Sequence, residues 1–404
     1  MNAFKRSLLA LAMAGAFAAG AAQAQISDNM IKIGVLSDMS SLYTDLAGAG
    51  SVAAARMAVE DSGIEKRGYK VEIISADHQN KPDVGSSIAR QWYDVDKVDV
   101  IVDVPNSGVA LAVNQITRDK GKVFLANGPA SSDLTGKACS PNTVHWTYDT
   151  WMLAHGTGSA IVGTGKKSWF FLTADYAFGH ALERDTAEVV KAAGGQVLGA
   201  VRHPLNAQDF SSFLLQAQSS KAQVIGLANA GGDTINSIKQ ASEFGIVKGG
   251  QSLAGMLVFI SDVHALGLQT AQGLIFTETF YWDRNDASRA FARRFAPQYK
   301  GNMPTMVQAG VYSAVLHYLK AVEAIKSDDG PKVIAKMKEM PTDDPLFGKG
   351  RIRADGRKIH DAYLVEVKKP SESKYPWDYY KILATIPAEK AFRPEKDGGC
   401  PLVK

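Results

Sequence analysis

The feature that most constrains this chain is a rhythm that occurs twice. Short runs of β-branched and aromatic residues alternate with longer amphipathic stretches. The expected strands are 31–37, 70–76, 98–104 and 122–126, then 168–173, 196–201, 222–228, 255–261 and 273–279. Most are apolar on both faces, which is the pattern of strands buried in a parallel sheet. Helical patterns fall between and after them, at 50–62, 83–93, 107–118, 150–162, 178–193, 209–218, 233–244, 288–299 and 305–325. Gly63 is expected to end the first helix and Asp83 to cap the second. Such alternation predicts an α/β protein of two doubly wound parallel-sheet lobes with right-handed crossovers. A last strand pair is expected near 350–352 and 362–367, followed by a surface tail rich in Pro and charge at 369–404.

Length agrees with two lobes, since 404 residues exceed one ordinary core. A composition of 46% hydrophobic and 21% charged residues is that of a soluble globular protein. The first residues stand apart. Lys5 and Arg6 precede an Ala-rich apolar run, and Ala22-Gln23-Ala24 is a small-residue cleavage pattern. Residues 1–24 are therefore expected to be a secretory signal peptide. The run is short for a membrane span, and no second one follows. The formal charge of +4 becomes +2 once Lys5 and Arg6 are removed, and no basic cluster with interleaved aromatics suggests a nucleic-acid partner. The two cysteines, Cys139 and Cys400, favour one disulfide in an oxidising compartment over two free thiols. No Cys/His spacing suggests a metal, no H-E-x-x-H is present, and no cofactor is expected.

Near the start of the first helix, Gly48, Gly50 and Ala53 form a G-x-G-x-x-A pattern. A dinucleotide fingerprint needs its first Gly directly after the strand. Here eleven residues, Ser37 to Ala47, intervene, so that reading is set aside. The loop instead offers Ser40, Ser41, Tyr43 and Thr44 at a strand's C-terminal end, where open α/β sheets bind ligands. Later loops repeat the theme: PNSG (105–108), NGPASSDLTG (127–136), TADYAFG (173–179) and NAGGD (229–233). Small residues and hydroxyls at helix starts expose N–H groups that hold an anion, typically a carboxylate, without an Arg. Two half-sites would then face each other across a cleft.

In their order, these segments resemble the solute-binding proteins of ABC importers of the leucine/isoleucine/valine-binding type. IKIGVLSDMSSLYTDLAGAGSVAAARMAVED, SADHQNKPDVGSSIARQWYD, DYAFGHAL and GNMPTMVQAGVYSAVLHYLKAVEAI carry the resemblance, which covers essentially the whole mature chain. It implies lobes joined by three crossovers, with 26–148 plus 280–345 in one and 149–279 plus 346–368 in the other. It also implies a periplasmic monomer that passes its ligand to an ABC permease and ATPase complex in the inner membrane. By position, the ligand carboxylate would be held by Asn106, Ser107, Gly128, Ala130 and Ser131. Tyr43 would cover the ligand and Tyr176 close over it. Asn229, Ala230 and Gly231 would line the floor, and Asp262 would pair with an ammonium group. NAGGD is small where relatives are bulky, and Ala130 stands where a Thr is expected. Both departures suit a larger or flatter ligand, so a hydrophobic amino acid and an aromatic acid both remain open.

Each residue has a plainer alternative. Tyr176 is also readable as a packing residue, Asp262 as a helix cap and Asn229 as a turn residue. An exported hydrolase is the competing activity, but no G-x-S-x-G elbow and no paired carboxylates appear. A sensor reporting to a membrane receptor has the same sequence features as a transport protein.

Overall fold

The structure is a computed structural model, and it describes residues 26–404. The expected signal peptide, 1–24, lies outside the described residues. The first parallel sheet contains β1 (Ile31–Ser37), β2 (Val71–Asp77), β3 (Val100–Asp103), β4 (Val123–Ala126) and β5 (Thr143–His145), in the order β2-β1-β3-β4-β5. The second contains β6 (Ser168–Ala174), β7 (Gln196–His203), β8 (Val224–Ala228) and β9 (Ser252–Gly255), in the order β7-β6-β8-β9. All pairs within these two sheets are parallel. The order reverses between β1 and β3 and again between β6 and β8. Each reversal opens a crevice beyond the strands' C-terminal ends. The loops flanking those crevices are the ones singled out from sequence.

Several expectations are corrected. The run 255–261 is not a strand: β9 ends at Gly255, and a helix, Ile260–Leu266, begins after four intervening residues. The intervening Met256, Leu257, Val258 and Phe259 are apolar because they pack beyond the sheet's end. The run 273–279 forms β10 (Ile275–Glu278), but it pairs antiparallel in a separate sheet. The two late strands exist without pairing to each other. The short β11 (Thr342–Asp344) and β13 (Lys358–Ile359) flank β12 (Gly348–Ile352), while β14 (Ala362–Val367) sits between β10 and β15 (Tyr380–Ile386). The segment read as a surface tail thus supplies β15, and it is bonded to the rest through Cys139–Cys400, whose Cα atoms lie 5.7 Å apart. Asp83 is not a cap. Lys81 holds that position, Pro82 opens the helix, and Asp83 sits in the first turn, where an acid suits the helix dipole. Gly63 does end its helix in the left-handed region.

The glycine pattern near the first helix has a packing cause. A Cβ on Gly50 would stand 2.2 Å from Nε2 of Gln308, on the helix Met306–Ile325. Thr305 caps that helix, and its Oγ1 donates to the Leu46 carbonyl at 2.7 Å. Gln308 Nε2 donates to the carbonyls of Asp45 and Ala47. The long helix therefore fixes the first loop from below. Among the described residues, no helix is long and apolar enough to cross a membrane.

Candidate functional site

Asp38, directly after β1, organises the first loop. Its carboxylate accepts from the backbone N–H groups of Ser40, Ser41 and Tyr43, from the Ser41 hydroxyl and from Asn80 Nδ2. Ser40 Oγ donates to Asp77. The Ser40 and Ser41 hydroxyls are thus spent on holding the loop, and the result is a buried Tyr43 ring aimed at the crevice.

Tyr43 is one wall of a narrow cavity between the two sheets' crevices. The first side supplies Tyr43, Leu46, Pro105, Gly128, Ala130 and Tyr148. The second supplies Tyr176, Phe178, Ala230, Leu257 and Phe259. The walls stand so close that only about one water-sized sphere fits. Tyr43 and Tyr176 touch hydroxyl to hydroxyl across it, and the Gly232 N–H donates to the Leu42 carbonyl at 3.2 Å. The two sides are closed on each other.

The cavity therefore takes in Tyr43, Gly128, Ala130, Tyr176 and Ala230 of the residues expected from sequence. The others surround it. Asn106 caps the helix Ser107–Lys120 by accepting from Val109 N at 3.1 Å. Ser107 Oγ, fully buried, accepts from the N–H groups of Ala130 (3.2 Å) and Ser131 (3.1 Å). Those bonds use the oxygen and leave the hydroxyl hydrogen to donate elsewhere. Ser131 Oγ accepts from Asp133 N. Asn229 is committed within its own side, donating to Ser237 and His203 and accepting from Thr234.

Gly231 meets protein, not cavity. Its φ is +56°, and a Cβ there would lie 2.4 Å from the Leu42 carbonyl oxygen. The small NAGGD loop admits the opposing backbone, and so does not make the room that its composition suggested. Asp262 does not line the cavity either. Its Oδ2 accepts from Phe259 N at 2.9 Å and caps the helix Ile260–Leu266, while the Phe259 ring faces the cavity.

Leu46, Pro105, Tyr148, Phe178, Leu257 and Phe259 went unnoticed in the sequence. Phe178 sits inside the DYAFG stretch, and Tyr148 follows a short strand, β5, that was itself missed. Tyr148 donates to the Gly128 carbonyl at 2.7 Å and holds that loop in place.

Electrostatically the cavity is neutral. Among the described residues, no Asp, Glu, Lys, Arg or His lines it. Burial pushes the phenols of Tyr43, Tyr148 and Tyr176 well above their ordinary value, so each remains a hydrogen-bonding hydroxyl. Two acids lie outside the lining. Burial raises Asp262 to about 7 and Glu278, which accepts from Tyr380, well above the carboxylate range. Among the described residues, no His/Cys/Asp/Glu group could hold a metal ion.

Comparison with known proteins points one way. Residues 30–374 match the family described as Periplasmic binding protein. The crystal structure of a periplasmic binding protein from Burkholderia mallei is 56% identical with a TM-score of 0.91, over 93% of this chain and 100% of that one. A branched chain amino acid ABC transporter periplasmic ligand-binding protein from Burkholderia xenovorans LB400 is 44% identical with a TM-score of 0.81, over 93% and 100%. A Leu/Ile/Val-binding protein homolog from Brucella melitensis is 25% identical, over 95% of this chain and 97% of its own length.

Proposed function

The chain belongs to the periplasmic binding protein family, and on that premise we propose that it captures a small apolar carboxylate between its lobes and delivers it to an ABC permease. The signal peptide at 1–24 would export it to the periplasm. The carrying observation is the cavity itself: aromatic and aliphatic walls, neutral hydroxyls and no side-chain charge among the described residues.

A carboxylate can enter such a site because donors are at hand. The Tyr43 and Tyr176 hydroxyls line it, and behind the Gly128–Ala130 wall stand the Ser107 hydroxyl, with a hydrogen left to donate, and the N-terminus of Ser107–Lys120. An ammonium group finds no ionised acceptor, and burying it unpaired is costly. The reading therefore favours aromatic or aliphatic acids over amino acids. Entry requires the Tyr43–Tyr176 contact to part, and the ligand then favours the closed state by touching both sides. The hydroxyls are held neutral by burial, so no activated nucleophile is offered, and the ligand leaves unaltered.

A thermal-shift screen of the mature protein tests this. Benzoate-like and branched aliphatic acids should raise the melting temperature, and leucine and polar amino acids should not. A shift with leucine alone would return Asp262 to the role of ammonium partner. No shift with any carboxylate would remove the proposal. For the best ligand, Tyr176→Ala should weaken binding tenfold or more, about 1.4 kcal/mol, because one side of the closed pair is gone. Unchanged affinity would mean that Tyr176 only packs.

A further inference from the structure

Beneath the cavity floor lies a carboxyl group that the capture mechanism has not used. Asp103 ends β3, and its side chain is fully buried. Oδ2 accepts from Ser37 Oγ at 2.7 Å, whereas Oδ1 has no hydrogen-bond partner. Oδ1 lies directly behind the cavity wall: a Cβ on Gly128 would stand 2.8 Å from it and 2.7 Å from Pro105 Cα, and both residues line the cavity. The backbone is held there in an unusual form. Asp103 and Val104 both have positive φ, +80° and +58°, which a β-branched residue avoids. The Asn127 side chain accepts from Asp103 N, and the N–H groups of Asn127 and Gly128 donate to its carbonyl. The arrangement presses one particular carboxyl oxygen against the site.

We propose that Asp103 carries a proton beneath the carboxylate site, and that binding of the ligand anion is coupled to keeping that proton in place. The inference rests on the carboxylate reading above. A buried oxygen with no donor is a poor place for negative charge, and a second carboxylate arriving beyond Gly128 makes it poorer. An O–H at Oδ1 removes the repulsion. The groups facing Asp103 do not supply a cation. They are Ser37, Ser51 on the helix Gly48–Ser62, Asn127, the Asp38 carboxylate and the Tyr148 phenol. Asp38 is fully engaged with donors of its own loop, and no salt bridge to Asp103 exists among the described residues. Burial raises the Asp103 carboxyl to about 7, against the opposing effect of the Ser37 and Ser51 hydroxyls and with the Asp38 charge adding to the rise.

The sign follows from linkage. Below about pH 6 the free protein already holds the proton, and the dissociation constant is flat. Above about 7 the free protein loses it and binding must take it back, so the constant rises, approaching tenfold per pH unit. The ligand-free protein gives an independent readout. The folded state keeps the proton to about pH 7, whereas an unfolded Asp releases it near 4. This contribution to stability is complete below pH 4 and is lost as pH rises to 7.

Calorimetric titration with benzoate and with 4-methylpentanoate, at pH 6 to 9 in buffers of different ionisation enthalpy, should show close to one proton taken up at pH 9. Asp103→Asn should bind with no pH dependence across that range. A wild-type affinity independent of pH, or a variant that keeps the dependence, overturns the proposal. Thermal melts of both ligand-free proteins from pH 4 to 7 should show the wild type losing stability relative to Asp103→Asn, and parallel curves would also overturn it. Failure of both acids to bind at any pH would count against the carboxylate reading, and the ligand-free melts would still decide the protonation of Asp103. The wild-type proton uptake stands without the variant, should Asp103→Asn not fold.

Discussion

Adding one methyl group at Gly231 should abolish ligand capture while both lobes remain folded. The Gly231→Ala side chain would sit 2.4 Å from the Leu42 carbonyl oxygen, which is backbone and cannot swing aside. It would also place a non-glycine residue at φ +56°, ψ −131°, a sparsely populated conformation that costs on the order of 1–3 kcal/mol for an L-residue. That strain falls on one lobe and leaves its core intact. The clash falls on the meeting of the two sides, where Gly232 N reaches Leu42 and Tyr43 reaches Tyr176. Titration should show affinity lowered at least a hundredfold, about 2.7 kcal/mol. Small-angle scattering with saturating ligand should show the variant staying open where the wild type compacts. Affinity within threefold of wild type would mean that this closure is not the binding conformation.

Removing the disulfide should produce the largest loss of stability. Cys139 and Cys400 are 261 residues apart in sequence, and a loop of that size places the chain-entropy gain on the order of 5–6 kcal/mol. The double variant Cys139→Ser, Cys400→Ser should melt roughly 10 °C lower, on the scaling for domains of this size. Its effect should reach the site as well. Cys139 follows the turn Ser132–Thr135, whose neighbours Ala130 and Ser131 adjoin the cavity, and Arg393 in the C-terminal segment donates to the Ser132 carbonyl. Weaker ligand binding should therefore accompany the lower melting point. An unchanged midpoint on reduction would show that the C-terminal segment is held by its other contacts, including β15.

Much of this was legible because the signals are local. Strand–helix alternation reports burial of both sheet faces, and it located β1 to β4 and β6 to β8 to within a residue or two, while the short β5 gave too little pattern to read. It failed where an apolar run is buried for another reason. Met256 to Phe259 read as strand, yet they pack beyond the end of β9, with Leu257 and Phe259 walling the cavity. β15 was hidden because its exposed edge residues, Ile382 and Leu383 among them, alternate with nothing distinctive. At the site, loop position found Tyr43, Gly128, Ala130, Tyr176 and Ala230. It could not separate a residue that lines from one that supports. Ser107 and Ser131 hold backbone, Asn229 bonds to side chains of its own side, and Asp262 caps a helix, because side-chain direction depends on φ/ψ values that composition does not reveal. The reading of NAGGD as open space failed for a similar reason: the vacancy left by a missing Cβ was taken up by a neighbouring backbone.

The most direct test of capture without chemistry is a matched titration of the mature protein with 4-methylpentanoate and leucine, which differ only by the α-ammonium group. The account predicts saturable binding of the acid, binding of leucine at least tenfold weaker, and recovery of the acid unaltered by mass spectrometry after release. Tighter binding of leucine, or a recovered ligand of changed mass, would contradict it.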